Sequence, residues 1–234
     1  MKTKTQTRPT RTDQVHAALR LAIIEQQLAP GARLPEDTIG ESFGTSRTIA
    51  REALGRLAVE GLVDLIPNRG AFVAQPTLDE GRDIFAVRKG LERLVVTQIL
   101  ASLTAETKRL LKEIANQTSV PADHSANAAI LAAGDFHLQL AQLTHNALLI
   151  RYVTEVVSRC SLVLAMYARP HSPDCAANEH RELVDAILAG DAGRAGDLMD
   201  LHLDNVAGRA LMTRPEQKDV RSILVGYAVK LATA

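Results

Sequence analysis

The spacing of apolar residues changes twice along this chain, and those changes constrain its fold more than any other feature. Val15, Ala18, Leu19, Ala22 and Ile23 fall at i, i+3, i+4, i+7 and i+8, which places them on one face of an α-helix. The pattern predicts a first helix from Asp13 to Leu28, stopped by Pro30-Gly31, then helices from Pro35 to Phe43 and from Ser46 to Gly61. After Gly61 the apolar residues gather into two short extended runs, Leu62 to Ile66 and Ala71 to Ala74, split by the turn Pro67-Asn68-Arg69-Gly70. Beyond Gln75-Pro76-Thr77 helical spacing resumes and no further strand signal occurs. Three helices, a β-hairpin and then helices alone predict a mainly α chain, with an N-terminal winged helix-turn-helix followed by an all-α antiparallel helical bundle.

The expected organisation is a flexible basic arm over 1–12, the winged domain over 13–75, a linker at 76–78, the bundle over 79–212 and an extension over 213–234 with room for one helix. The arm carries Lys2, Lys4, Arg8 and Arg11 and no acid. Within the bundle, helices are expected at about 79–101, 105–118, 122–145, 147–168, 175–190 and 192–212, with Thr104 and Asp174 as caps and Gly190-Asp191 as a stop and restart. The formal net charge is zero, so only local charge can indicate a nucleic-acid partner. Cys160 and Cys175 show no CxxC spacing, which argues against a zinc ribbon or a redox motif. Met1 to Arg11 lack the apolar core of a secretory signal, and no run approaches the ~18 apolar residues of a membrane span. The chain is expected to be cytoplasmic, with no membrane partner.

The third helix has two faces. Ile49, Ala50, Ala53, Leu54 and Leu57 share one, and Arg47, Thr48, Arg51, Glu52 and Arg56 share the other. A helix packed on its neighbours with arginines near its N-terminus can lie in the major groove of DNA. Arg47 and Arg51 stand one turn apart, and the arginine fork can grip guanine O6/N7 or a phosphate. Thr48 can meet a phosphate or a thymine methyl. Asn68-Arg69-Gly70 would bring a basic side chain and a closely approaching backbone to the neighbouring phosphates or minor groove. The candidate DNA-binding set is Ser46, Arg47, Thr48 and Arg51 on the helix and Asn68, Arg69 and Gly70 on the wing. A plain solvated face with an Arg–Glu pair is the competing reading, and the helix-turn-helix-hairpin order weighs against it.

These residues also carry a resemblance. Leu28-Ala29-Pro30-Gly31-Ala32-Arg33-Leu34-Pro35-Glu36, the run from Phe43-Gly44-Thr45-Ser46-Arg47-Thr48 to Leu54, Glu60-Gly61-Leu62-Val63 and Arg69-Gly70-Ala71-Phe72-Val73 are similar to the GntR family of bacterial regulators over about residues 13–75. The resemblance implies that Arg47, Thr48, Arg51 and the Gly70 wing tip contact operator DNA. Many relatives have a basic residue in the second helix where this chain has Asp37, so that backbone contact is either missing or supplied by Arg33.

Val87-Arg88-Lys89-Gly90-Leu91-Glu92, Phe136-His137, Asn146, His180 with Leu183 and Ala186-Ile187, Gly190-Asp191 and His202-Leu203 resemble the FCD-type effector-binding and dimerisation domain of the family's FadR branch, over 79–212. That branch often holds a metal with three histidines and an Asp one turn before the first. His137, His180 and His202 match the histidines, and imidazole suits zinc, nickel or another divalent ion. The Asp position is Ala133. Asp135, two residues from His137, points to the other side of a helix and should not substitute. Two readings stay open: three histidines alone can hold a metal, or they line a cavity and hydrogen-bond an effector carboxylate directly. Arg88 is a candidate for pairing with an anionic effector, or it forms a surface i, i+4 pair with Glu92. Asn146 either lines the pocket or caps a helix. The candidate effector-binding set is thus Arg88, His137, Asn146, His180 and His202. His16, His124, His145 and His171 are assigned no role.

The function implied is a ligand-responsive transcriptional regulator, a repressor of genes of organic-acid or similar small-molecule metabolism. It would act as a homodimer on a two-fold operator in double-stranded DNA, and a carboxylate effector would change operator affinity by linkage. A metal-dependent enzyme built on the His cluster, for which no general base stands out because Glu179 is placed on a different face from His180, is one alternative. A constitutive DNA-binding protein without effector is the other.

Overall fold

A computed structural model describes residues 9–117, 126–167 and 173–211. The expectations for residues 1–8, for the helix start before 126, for His124 and His171 and for the 213–234 extension lie outside the described residues, as does the Asp174 side chain. The order is α1 (Arg11–Ile24), α2 (Glu36–Ser42), α3 (Arg47–Val59), β1 (Val63–Ile66), β2 (Gly70–Val73), α4 (Leu78–Ala101), α5 (Ala105–Gln117), α6 (Ala126–Gln142), α7 (Ala147–Tyr167), α8 (Pro173–Ala189) and α9 (Ala192–Leu211).

Each start has a local cause. Thr10 and Asp13 form a capping box, so α1 begins at Arg11 rather than Asp13. Arg11 and Thr12, assigned to the arm from sequence, therefore belong to the helix, and Arg11 donates to the Phe43 carbonyl at 2.8 Å. The same helix stops at Ile24, short of Leu28, because Gln26 turns left-handed at φ 58°. Ser46 caps α3 by accepting from the Ile49 N–H. Thr77 and Glu80 box the start of α4. Thr104 accepts from the Thr107 N–H, and Asp191 from the Arg194 N–H, as caps of α5 and α9.

The hairpin pairs antiparallel from Val63 opposite Val73 to Ile66 opposite Gly70. Its turn needs Asn68 at φ 61° and Gly70 at φ 98°, the second a conformation that favours glycine. Arg33 adds a bridge to Phe72 on the open side of β2. Val15, Leu19, Ile23, Leu54, Leu57, Leu62 and Val73 close the core of this unit. Burying each leucine there stabilises it by about 1.5–3 kcal/mol.

The bundle core gathers Val95, Val96, Ile99, Phe136, Leu140, Val153, Val157, Leu183, Ile187, Met199 and Leu203 from α4, α6, α7, α8 and α9. The two units are not separate bodies of side chains. Leu162 of α7 is fully buried in the core of the winged domain. Arg159, one turn earlier on α7, packs against Gly61, and the Tyr167 hydroxyl donates to the Pro76 carbonyl at 3.0 Å. Among the described residues no helix is long and apolar enough to cross a membrane.

Candidate DNA-reading face and histidine cluster

α3 buries Ala50, Ala53, Leu54 and Leu57 and turns its other face outward. Ser46, Arg47, Thr48 and Arg51 are all exposed there, as are Asn68, Arg69 and Gly70 on the hairpin turn. The structure thus presents the whole predicted set on the surface, with the Arg47 and Arg51 side chains 69% and 72% exposed. Two members of the set are engaged locally. Ser46 Oγ is engaged as the α3 cap at 3.3 Å from the Ile49 N–H, and Arg69 lies over the Phe72 ring at 5.5 Å.

Two features escaped the sequence reading. Arg56, grouped with the other arginines on the polar face, is tied to Asp13 of α1 and to Glu52, both at 2.7 Å, and so fastens α3 to α1. The two outward arginines meet carboxylates of α2: Arg47 pairs with Asp37, and Arg51 Nε and Nη2 reach Glu36 at 2.9 and 2.7 Å. Pairs 10 and 15 residues apart have no local sequence signal.

The bundle encloses His137 of α6, His180 of α8 and His202 of α9, each no more than 2% exposed. His137 Nε2 lies 3.1 Å from His202 Nε2, and His180 Nε2 lies 3.3 Å from the same atom. The other ring nitrogens of two of these histidines face acids: His137 Nδ1 meets Glu92, and His202 Nδ1 meets Glu179 at 2.6 Å. A carboxylate accepting from Nδ1–H leaves Nε2 as a bare lone pair. Two such lone pairs pointing at one another repel unless a cation sits between them. The three side chains form a metal-ligand group. The spacing fits one as well, since tetrahedral zinc with bonds of ~2.0–2.1 Å sets its ligands about 3.3 Å apart. Phe136 stacks on His180, centroids 3.8 Å apart, and fixes that ring.

Burial pushes His137 down to about 4, and it pushes His180 well below the ordinary histidine value, with help from the neighbouring imidazoles. Both rings are therefore neutral near pH 7, the form a metal needs. Burial disfavours the Glu92 carboxylate too, but His137 and Arg88 beside it outweigh this and hold it at about 2.

Some of the remaining expectations hold and others change. Ala133 leaves no carboxylate one turn before His137, and Asp135 is exposed and outside the cluster. Arg88 does pair with Glu92, at 2.5 Å, but in the interior rather than on the surface. Its charge is already met by Glu92, so it is not the free cation expected to greet an effector. Asn146 caps the start of α7, accepting from the Leu149 N–H at 3.1 Å, and its amide donates to Gln98. Glu179 does not stand apart from the histidines as expected: it grips His202 and also accepts from Asn205 at 2.9 Å. Glu92 was foreseen only as a partner of Arg88, and its contact with His137 was missed. Its signal was its place, with Phe85, Arg88, Val95, Val96 and Ile99, on the one buried stripe of α4.

A winged domain with an arginine-bearing helix, joined to a bundle that encloses a ligand-binding type of cluster, defines a regulator that reads DNA with one half and senses with the other. Residues 11–73 match the model of bacterial regulatory proteins of the gntR family, and residues 83–205 match the FCD domain. The chain belongs to the GntR family. It is 24% identical over 225 residues to the HTH-type transcriptional repressor RspR of Escherichia coli K12, covering 94% of this chain and 98% of that one. It is 33% identical over 201 residues to the Uxu operon regulator of Haemophilus influenzae, covering 75% and 73%. A GntR transcriptional regulator from Rhodococcus sp. RHA1 superposes with a TM-score of 0.70 at 27% identity, over 88% of this chain and 99% of that one. The protein is a DNA-binding transcriptional regulator, and this family membership removes the enzyme alternative. Regulators of this build bind operator DNA through the first domain and small-molecule effectors through the FCD domain.

Proposed function

We propose that the chain is a cytoplasmic homodimeric repressor that holds one divalent metal on His137, His180 and His202 and recognises a carboxylate effector at the metal's open positions. The observation that carries this reading is the convergence of the three Nε2 atoms, with Glu92 and Glu179 setting the tautomers of two rings. Three neutral imidazoles leave the ion its full double charge, and Ala133 supplies no anion to reduce it. A carboxylate from outside is the ligand best suited to what remains. By likeness to a relative from Paenarthrobacter nicotinovorans named as a probable repressor of a D-xylose utilization operon, the target genes belong to small-molecule metabolism.

On DNA, Arg47, Thr48 and Arg51 would enter the major groove, with Ser46 at the helix start and Asn68, Arg69 and Gly70 against the adjacent backbone. Arg33, exposed beside the hairpin, supports the phosphate contact that Asp37 cannot make. Two copies are expected because one recognition helix makes too few base contacts for useful specificity. Elemental analysis of dialysed protein should find about one ion per chain, reduced to traces in His137→Ala and in His202→Ala. Full retention by His137→Ala would refute the site. Electrophoretic shift on the promoter should be lost in Arg47→Ala/Arg51→Ala and altered by the cognate organic acid only in metal-loaded protein.

A further inference from the structure

Both outward arginines of α3 are held in the same way. Asp37 takes Nε and Nη2 of Arg47, and Glu36 takes Nε and Nη2 of Arg51. A guanidinium has two edges that can each donate a parallel pair of N–H groups: the side edge, Nε with one Nη, and the end edge, from both Nη atoms. In both residues the side edge is committed to a carboxylate of α2. Among the described residues the end edge meets no partner, at the tip of a side chain about 70% exposed. An end edge with two parallel donors is what guanine O6 and N7 accept in the major groove.

We propose that Glu36 and Asp37 are positioning residues that aim Arg47 and Arg51 at two guanines of the operator half-site. The inference rests on the DNA-reading role of α3 given above. Exposed ion pairs add little to stability, so the effect of these two lies in orientation and selection. An arginine free to swing finds a phosphate on any sequence, and a phosphate contact carries no sequence information. An arginine pinned by its side edge must break an ion pair to reach one. The two carboxylates also bring negative charge towards the DNA backbone, which penalises binding at sites that do not return a guanine contact. Asp37 thereby favours selectivity over a sequence-blind contact. Arg47 and Arg51 are four residues apart, about 6 Å along the helix. At ~3.4 Å per base pair, the two guanines fall about two steps apart.

The test is selection of binding sites from a randomised duplex pool by the full-length chain, by Asp37→Ala and by Glu36→Ala, followed by affinity measurement on the selected and on unrelated duplexes across a salt series. The wild type should enrich two guanines per half-site about two steps apart. Asp37→Ala should relax one of them and Glu36→Ala the other, each by about threefold to thirtyfold, part of the range that a full bidentate contact supplies. Each variant should bind unrelated duplex more tightly, with a salt slope steeper by about 0.9, one extra phosphate contact. Asp37→Glu should restore the guanine preference. Unchanged base preferences in both alanine variants, or an equal loss on all duplexes, would overturn the inference while leaving DNA reading by α3 intact. A wild type that enriches no sequence would overturn both.

Discussion

Replacing Glu92 by Leu should unsettle the bundle far more than replacing its partner Arg88 by Met. Arg88 and Glu92 are 3% and 1% exposed. Glu92 serves two groups at once, Arg88 Nε on one oxygen and His137 Nδ1 on the other. Among the described residues, the other group that favours the Arg88 charge is the buried thiol of Cys160. Removing Glu92 therefore strands a full positive charge in the interior, a loss of about 4 kcal/mol. Removing Arg88 leaves a carboxylate that keeps the neutral His137 Nδ1–H as donor and can neutralise itself by taking up a proton, which an arginine cannot shed, so the loss is nearer ~2 kcal/mol. The double variant strands no charge. It leaves only His137 Nδ1 without an acceptor, again about 2 kcal/mol. The double variant should thus be more stable than Glu92→Leu alone, with a coupling of about 3–4 kcal/mol between the two sites. Urea unfolding of the metal-free proteins at pH 7.5, followed by circular dichroism, reads this from midpoints at unchanged slope. Additive losses, with the double variant the least stable of the three, would refute the idea that Glu92 is there to meet the Arg88 charge.

Three further outcomes follow from the geometry. With metal removed, His137 has a folded pKa of about 4 against an ordinary 6.5; the unfolded chain takes up a proton first on acidification, so stability is full above pH 6.5 and falls by ~3 kcal/mol by pH 4, as denaturation midpoints will record. Below pH 4.5 the Glu92 carboxylate, held at about 2, continues the loss in the same direction. Glu179→Gln should weaken zinc binding about tenfold to a hundredfold in competition with a chelator while leaving the helix content unchanged, because the residue orients His202 without ligating. Gly61→Ala should lower stability by more than ~1 kcal/mol in thermal melts: its φ is 70°, and a Cβ would stand 2.1 Å from Arg159 Nε.

What the sequence disclosed was what depends on neighbours along the chain. Spacing placed the helices and the hairpin within a few residues, since core-facing side chains recur with the period of the element that carries them. It also grouped His137, His180 and His202, though only through their likeness to a family pattern. The acids of both sites were hidden for a common reason. Glu36 and Asp37 meet Arg51 and Arg47 across a turn, and Glu92 and Glu179 meet histidines 45 and 23 residues away. A carboxylate has the same helical signature whether it is solvated or spoken for. Arg88–Glu92 was visible as an i, i+4 pair, but its burial depended on α4 being packed against α7 and α9, which periodicity alone does not state. The fate of Arg11 turned on a capping box beginning at Thr10, one residue outside the apolar pattern.

Leu162 has a consequence for any attempt to take the molecule apart. It grows from a bundle helix, yet it fills the interior of the domain that reads DNA. A fragment cut at the linker would expose a leucine-sized hollow in the core of the winged domain, so the excised reader should be a poorer folder and a stickier solute than its sequence suggests. Within the intact chain the same peg denies the reader an independent tilt. Whatever shifts α7 along its own axis must carry the recognition helix with it or tear open a hydrophobic interior.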